Sequence, residues 1–365
     1  MNHLEEALDL AARGWGATSP NPAVGAVVVR DGEVVGRGYH TWSGLKHAEV
    51  LALEEARERA RGATLYVTLE PCAHHGRTPP CIDAILAAGV RKVVAPMEDP
   101  NPQTRGRGFM RLRDAGIEVE MAGQYAARAT EINEPFIHFM RTGRPLVTLK
   151  AAVTLDGKIG APDDNAGWIT SESARKHVQT LRHRSDAILT GIGTVLADDC
   201  RLTDRSGLER SRPLLRIVLD SQLRLPSESR LATSCNSDVL VVTTSAASPD
   251  RRRRLESMGV RVEVLERTDG RASLQGVLEL LAREKYLSLM IEAGSRVNWS
   301  ALESGVADKI YFYYAPKILG GTQSIPVAGG TGRRRRKDAI RFQNVQLHSI
   351  AKDEFAVEAW VERGD

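Results

Sequence analysis

His47-Ala48-Glu49, then Glu70-Pro71-Cys72, then Cys81 is the stretch that decides how this chain is read. His47, Cys72 and Cys81 are three ligands suited to zinc, and Glu49 is a carboxylate not needed as a fourth. A structural zinc site closes its tetrahedron with four protein ligands, whereas a hydrolytic one takes three and keeps a position for water. Three ligands therefore predict a hydrolytic Zn2+ centre. Such a metal lowers the pKa of its water from ~15.7 to roughly 7, and Glu49 is placed to shuttle the proton.

Zinc-dependent base deaminases use this chemistry, but their pattern closes with Pro-Cys-x-x-Cys. Here eight residues, Ala73 to Pro80, separate the cysteines. The end of that insert reads as a helix start, with Thr78 as N-cap and Pro79 at the first helical position. Cys81 then falls in the first turn, where the helix dipole favours the thiolate a metal needs. Ordinary thiols and a surface histidine would leave the spacing of Glu49 and the Pro71-Cys72 pair without a reason.

A chain of 365 residues is long for one compact domain and comfortable for two. Four cysteines do not make a disulfide framework, and Cys200 and Cys235 read as free thiols in a reducing cytosol. The acidic N-terminus shows no secretory signal and no apolar run reaches membrane-spanning length, so a cytoplasmic protein without a membrane partner is expected. Net charge is +4, with basic runs at Arg251-Arg252-Arg253-Arg254 and Arg333-Arg334-Arg335-Arg336-Lys337. Neither is interleaved with the aromatics of a single-strand platform, so solvated surface is expected rather than nucleic-acid contact. A phosphate-bearing small substrate is a further use for the positive field.

The first half alternates strand and helix. A hairpin turns at Asp31-Gly32, a helix runs from His47 to about Arg61, and Thr64 to Leu69 is a strand delivering Glu70-Pro71-Cys72 at its end. A helix from Cys81 to Ala88, a strand from Lys92 to Ala95, a helix near Gly108 to Ala115 and a strand from Ile117 to Met121 follow. Ligands thus gather where strands end and helices begin, in a three-layer α/β domain. One helical stretch, Tyr125 to Met140, closes this half before Gly143 and Pro145 break the pattern. The expected domains are 1–144 and 145–365.

The second half mixes further strands and helices, and ends in two strand-like runs, Phe342 to Ile350 and Phe355 to Val361, which predict a mixed sheet. The segment Gly329 to Arg336 reads as a mobile surface loop. No Gly-x-Gly-x-x-Gly is present, since Leu196 stands where Gly191-Ile192-Gly193 would need its third glycine. Glu292-Ala293-Gly294-Ser295 lies between a strand and a helix and can meet an anion with backbone amides. An ordinary capped helix fits it equally. Lys150 and Glu292 are charges at strand ends that need pairing or a polar ligand if buried. Arg182 and Arg205 have forks suited to phosphate.

Pro20-Asn21-Pro22-Ala23-Val24-Gly25, the His47 and Cys72 to Cys81 motifs, and Asp99-Pro100-Asn101-Pro102 resemble the bifunctional deaminase/reductase family of bacterial riboflavin biosynthesis. So do Lys150, Thr154-Leu155-Asp156-Gly157, Gly167-Trp168-Ile169-Thr170, Gly191 through Asp199, Ile217 to Ser221 and Ala315-Pro316-Lys317. The eight-residue gap belongs to that family's own pattern. The resemblance implies a cytidine-deaminase-like first domain and a dihydrofolate-reductase-like second one. The first would deaminate 2,5-diamino-6-(5-phosphoribosylamino)pyrimidin-4(3H)-one with zinc, and the second would reduce the ribosyl chain with NADPH.

By carry-over, His47, Cys72 and Cys81 hold zinc, Glu49 moves the proton, and Asn21, His40, His74, Arg77, Asp99 and Asn101 surround the pyrimidine. Val153, Trp168, Thr194, Asp198, Ser221 and Gly294, Ser295, Arg296, Val297, Asn298, Trp299 and Ser300 fall where the family holds NADPH. Lys150, Ala166, Arg182, Leu202, Arg205 and Glu292 fall where it holds substrate, with Lys150 and Glu292 orienting the ribose and relaying a proton. Ala166, Ala293 and Cys200 depart from the family pattern, none of them in the zinc motif. A homodimer or higher homo-oligomer is expected. Two rival readings are an active zinc deaminase with an impaired reductase, and a nucleic-acid base deaminase, which would want stacking aromatics this aromatic-poor chain lacks.

Overall fold

A computed structural model describes residues 2–41, 46–75, 79–102, 104–163, 167–267 and 269–363. Arg77, Thr78 and Ala166 lie outside the described residues. The chain divides into two compact units, 1–144 with 209–212, and 145–208 with 213–365.

The first unit runs α1 (His3–Ala12), β1 (Gly25–Arg30), β2 (Glu33–Tyr39), α2 (Ala48–Ala56), β3 (Thr64–Val67), α3 (Cys81–Ala88), β4 (Lys92–Ala95), α4 (Arg107–Asp114), β5 (Glu118–Met121), α5 (Ala126–Ile132) and α6 (Glu134–Thr142). Its sheet has the order β2-β1-β3-β4-β5, antiparallel through β3 and parallel beyond. Alternation sorts the strand residues between two cores. Ala26, Val28, Leu65, Val67, Val93 and Ala95 pack under α2, α3 and α4, while Val27, Val29 and Val94 pack with Leu4, Ala7 and Leu10 of α1.

Gly36 and Gly38 explain how close α2 lies on the edge strand. A Cβ at either would stand 2.1 Å from Ala52 O or 2.2 Å from Ala48 O, so only hydrogen fits. That contact fixes the start of α2, where His47 and Glu49 sit. Two expectations are corrected here. The helix carrying Cys81 begins at Cys81 itself with Pro80 in the N-cap position, so Pro79 precedes the helix, and Thr78 lies outside the described residues. The single helix expected over Tyr125 to Met140 is two, divided at Asn133, which exchanges hydrogen bonds with Ala23 at 2.8 and 2.9 Å just before Pro135.

The second unit runs β6 (Leu146–Thr154), β7 (Lys158–Gly160), α7 (Glu172–Arg184), β8 (Ala187–Gly191), α8 (Ile192–Asp198), β9 (Leu215–Leu219), α9 (Arg230–Thr233), β10 (Val239–Thr243), α10 (Pro249–Ser257), β11 (Arg261–Val264), α11 (Leu274–Arg283), β12 (Ser288–Ile291), α12 (Ser295–Glu303), β13 (Lys309–Ala315), β14 (Ile325–Pro326), β15 (Phe342–Ala351) and β16 (Glu354–Val361). Nine strands form one sheet in the order β11-β10-β9-β8-β12-β6-β13-β16-β15. It is parallel through β13 and antiparallel at β16 and β15, the mixed sheet the terminal hairpin implied. The short β7 and β14 pair separately. Helices α11 and α12 cover one face of the sheet, and α8, α9 and α10 cover the other.

The segment Gly329 to Arg336 is not a loose loop at its beginning. Gly329 N donates to Ser295 O at 3.1 Å and Asn298 Nδ2 to Val327 O at 2.8 Å, which straps the chain onto α12.

Candidate active sites

In the first unit, β3 ends at Val67, three residues before Glu70, and the chain then delivers Cys72 against the starts of α2 and α3. His47 is the N-cap residue of α2 and spends no side-chain hydrogen bond on the cap, so its ring is available. Its Nδ1 lies 3.0 Å from Cys81 Sγ and 3.5 Å from Cys72 Sγ, and all three ligand atoms lie within 4.8 Å of one another. Tetrahedral bonds of about 2.0 Å to nitrogen and about 2.3 Å to sulfur require ligand atoms about 3.5–3.8 Å apart, so the trio fits zinc with small adjustments.

Cys81 N donates to Cys72 Sγ at 3.2 Å, a bond that favours a thiolate. Hydrogen bonds from the Cys81 thiol and from His47 hold Cys72 down to about 4, while the same contact with Cys72 and burial push Cys81 up. Glu49, in the first turn of α2, is 4% exposed, and burial with the neighbouring Cys72 charge raises its pKa. A carboxyl so placed takes and returns a proton more readily near neutrality than a solvated one.

His40 packs edge-on to His47 with ring centroids 5.2 Å apart. Its Nδ1 donates to Lys46 O at 2.9 Å, leaving Nε2 to accept from Asn21 Nδ2 at 3.1 Å. Burial lowers its pKa, in keeping with that neutral tautomer. Asn101 and His74 line a cavity of about 210 Å³ together with Ala73, Thr104 and Arg107. Asp99 holds its own loop, accepting from Asn101 N at 2.9 Å and Thr104 Oγ1 at 2.7 Å.

Glu70 is a residue whose function the sequence did not disclose. Buried to 5% exposure, its carboxylate accepts from Asp99 N, Gly106 N, Gly108 N and Phe109 N at 2.7–3.2 Å. It caps α4 and fastens the Cys72 strand end to the Asp99–Asn101 loop, so metal ligands and pocket share one anchor. Replacing it with Ala strands four amides, each costing about 1–3 kcal/mol. Glu70→Ala is accordingly expected to lower stability by about 3 kcal/mol or more and to weaken zinc retention, read by calorimetry and by competition with a chelator. Unchanged zinc affinity would show that the anchor does not reach the ligands.

In the second unit, β6 and β12 are parallel neighbours with Leu149 opposite Ile291, which puts Lys150 beside Glu292. Lys150 Nζ is 3.4 Å from Glu292 Oε2. Arg182 of α7 closes on the same carboxylate with both arms, Nε to Oε1 at 2.8 Å and Nη2 to Oε2 at 2.9 Å, and its Nη1 donates to Thr203 O at 2.9 Å. Burial alone would raise the Glu292 pKa, but the Lys150 and Arg182 charges outweigh it and hold the group at about 2. Glu292 is therefore ionised in the free protein, an anchor rather than a proton donor. Arg182 is buried with its fork on Glu292, whereas Arg205 is exposed and its backbone N donates to Gln179 Oε1 at 2.9 Å.

The edge of the sheet beside this triad has the shape of a cofactor cradle. A Cβ at Gly191 would stand 2.9 Å from Val297 Cγ2, so the β8–α8 turn packs directly on the start of α12, and Thr194 Oγ1 lies 3.6 Å from the corresponding point at Gly294. Gly294 is the N-cap residue of α12 and supplies no side-chain cap, leaving amides for an anion. Among the described residues, Asp220 Oδ1, Asn298 Oδ1 and Trp299 Nε1 are buried without a hydrogen-bond partner.

The other expected cofactor residues divide by what they already do. Trp168 is 69% exposed with the Arg175 guanidinium 5.0 Å from its ring centre, Asp198 is exposed, and Val153 is fully buried in β6. Ser221 Oγ accepts from Ala272 N at 3.0 Å, and Ser295 Oγ donates to Pro326 O. Leu202, expected near substrate, is buried with φ +53°, a left-handed conformation that a branched side chain adopts only under constraint. A cavity of about 480 Å³ in this unit lies at the far end of α12 and is lined by none of these residues.

Known proteins match both halves of the chain. Residues 1–97 match the cytidine and deoxycytidylate deaminase zinc-binding region, and residues 145–354 match the RibD C-terminal domain. The riboflavin biosynthesis protein RibD of Escherichia coli (strain K12) is 42% identical over 366 residues, covering 96% of each chain. That of Bacillus amyloliquefaciens is 41% identical over 351 residues, 96% of this chain and 94% of the relative. The chain belongs to the RibD family. Solved structures concur: Acinetobacter baumannii RibD, at 35% identity, superimposes with a TM-score of 0.87 over 99% of this chain and 98% of that one. As a RibD it is a bifunctional enzyme of riboflavin biosynthesis, a hydrolytic deaminase and a reductase, with zinc and NADPH as cofactors. A cytidine-deaminase-like unit precedes a dihydrofolate-reductase-like one. No helix among the described residues is long and apolar enough to cross a membrane.

Proposed function

We propose that the first unit, 1–144, deaminates 2,5-diamino-6-(5-phosphoribosylamino)pyrimidin-4(3H)-one and the second, 145–365, reduces 5-amino-6-(5-phosphoribosylamino)uracil. These are the activities in the name of a Thermotoga maritima structure, 35% identical with TM-score 0.82 over 99% of this chain and 98% of that one. The observation that carries the reading is the gathering of His47, Cys72 and Cys81 within 4.8 Å beside buried Glu49. Those three residues hold zinc, which when bound supplies water activation at neutral pH, as NADPH supplies hydride in the other unit. Glu49 takes the water's proton and returns it to the leaving amine. Asn21, His40, His74, Asp99 and Asn101 receive the pyrimidine, and Arg77, outside the described residues, is assigned to the same substrate.

In the reductase, Thr194, Asp198, Ser221, Val153, Trp168 and Gly294 to Ser300 hold the cofactor, with Ser295 and Asn298 also bracing the strap over α12. Lys150 faces the ribose and is the acid of its pair. Arg182 is assigned to aligning Glu292 rather than to phosphate, because its guanidinium is committed; Arg205 takes the phosphate, with Leu202 and Ala166 assigned to the same substrate. The basic runs serve as solvated surface, consistent with Arg252 on Glu256, Arg253 on Asp250 and Arg335 on Asp338. A cytoplasmic setting fits four free cysteines, and a homodimer fits Val345 and Leu347, which are exposed on the edge strand β15.

Purified protein given the diaminopyrimidine substrate is expected to release ammonia and oxidise NADPH, and chelation to stop both. Supplied directly with the deaminated intermediate, chelated protein should still oxidise NADPH. Absence of ammonia from the zinc-loaded chain would overturn the first half of this reading, and absence of NADPH oxidation with the intermediate the second.

A further inference from the structure

The deaminase substrate carries a phosphomonoester, and the first unit must hold it with groups of its own. The segment around α4 offers four arginines. Arg105 is paired with Glu98 at 2.6 Å, Arg111 is held by Asp83 at 3.0 Å and Ala73 O at 3.2 Å, and Arg113 rests 6.0 Å from the Phe109 ring centre. Arg107 differs from all three. It is exposed, forms no ion pair among the described residues, and lines the 210 Å³ cavity with Ala73, His74, Asn101 and Thr104.

Among those lining residues none is acidic, and the Thr104 hydroxyl is spent on Asp99. The helix start behind the cavity cannot take the anion instead. The amides of Gly106, Gly108 and Phe109 already donate to the buried Glu70 carboxylate. Arg107 is, among the described residues that line this cavity, the one guanidinium, and its planar donors match a phosphate.

We propose that Arg107 recognises the phosphate of the deaminase substrate, as a specificity-determining residue of the first unit. The inference rests on the deaminase reading above. It assigns the two phosphate contacts to different arginines, Arg107 for deamination and Arg205 for reduction.

The test uses the zinc-loaded full chain and two substrates, the phosphorylated diaminopyrimidine riboside and the same compound without its phosphate. The quantity read is the ratio of their kcat/KM values for ammonia release, with inhibition by ribose 5-phosphate measured in parallel. Arg107→Gln is expected to lower the ratio at least about tenfold through KM and to weaken ribose 5-phosphate inhibition similarly, and Arg107→Lys to restore part of both. Because Arg107 is exposed, neither substitution should disturb folding, which a thermal melt checks. A ratio that stays at the wild-type value, even if both activities fall, would overturn the proposal. Wild-type protein that releases ammonia from neither compound would overturn the deaminase reading itself, and the proposal with it.

Discussion

Glu49→Gln is expected to abolish ammonia release, by roughly 10²–10⁴-fold in kcat, while zinc stays bound at one ion per chain. Glu49 is close to the ligands without being needed as one, since His47, Cys72 and Cys81 already supply the set of a hydrolytic centre. Glutamine has the same shape, so the start of α2 and its packing against Gly36 and Gly38 persist. What disappears is the only group in that turn able to accept a proton and give it back. Removing a buried ionisable group also removes a desolvation cost, so the melting temperature should hold or rise. Zinc by atomic absorption, ammonia by a coupled assay and NADPH oxidation on the deaminated intermediate separate the cases. Zinc lost along with activity would make Glu49 a structural support of the metal, and retained ammonia release would remove it from the mechanism.

The zinc trio was legible in the sequence because metal chemistry restricts the residue types and the fold restricts where they sit, at strand ends and helix starts. The position of Cys81 in the first turn of its helix followed from local rules, although the cap did not: two prolines precede the helix and Pro80, not Thr78, occupies the N-cap position. Glu70 was hidden for a different reason. Its four partners are backbone amides 29 to 39 residues further along the chain, and backbone donors leave no mark in the choice of amino acid. Arg182 illustrates the opposite failure. Its type suits phosphate and carboxylate equally, and only the tertiary fold, which brings α7 to the end of β12, puts Glu292 within its reach. Likewise the run after Gly329 resembles a free loop in composition, yet a Cβ at Gly330 would stand 2.6 Å from Trp299 Cδ1, so those glycines mark close packing.

Glu292→Gln should silence the reductase and leave the deaminase working. The substitution keeps the volume of the side chain but leaves Lys150 and Arg182 facing each other across a neutral amide, two cations in a buried site. Breaking a buried ion network from one side costs about 3–5 kcal/mol. The carboxylate's own pKa gives a concordant figure: a fall from 4.5 to about 2 corresponds to roughly 3 kcal/mol of stabilisation. Because the folded pKa is depressed, that stabilisation is complete above the unfolded value near 4.5 and drains away as pH falls toward 2. The wild-type second unit should therefore lose stability over that window, and Glu292→Gln should be less stable at neutral pH and flatter below 4.5. Ammonia release, assigned above to residues of the first unit, should continue at 25 °C. A companion change, Arg182→Met with Glu292→Gln, removes one stranded cation and is expected to recover part of the melting temperature without recovering NADPH oxidation. Recovery of both would mean that the triad serves only to hold the sheet edge together, and that the carboxylate takes no part in placing the ribose.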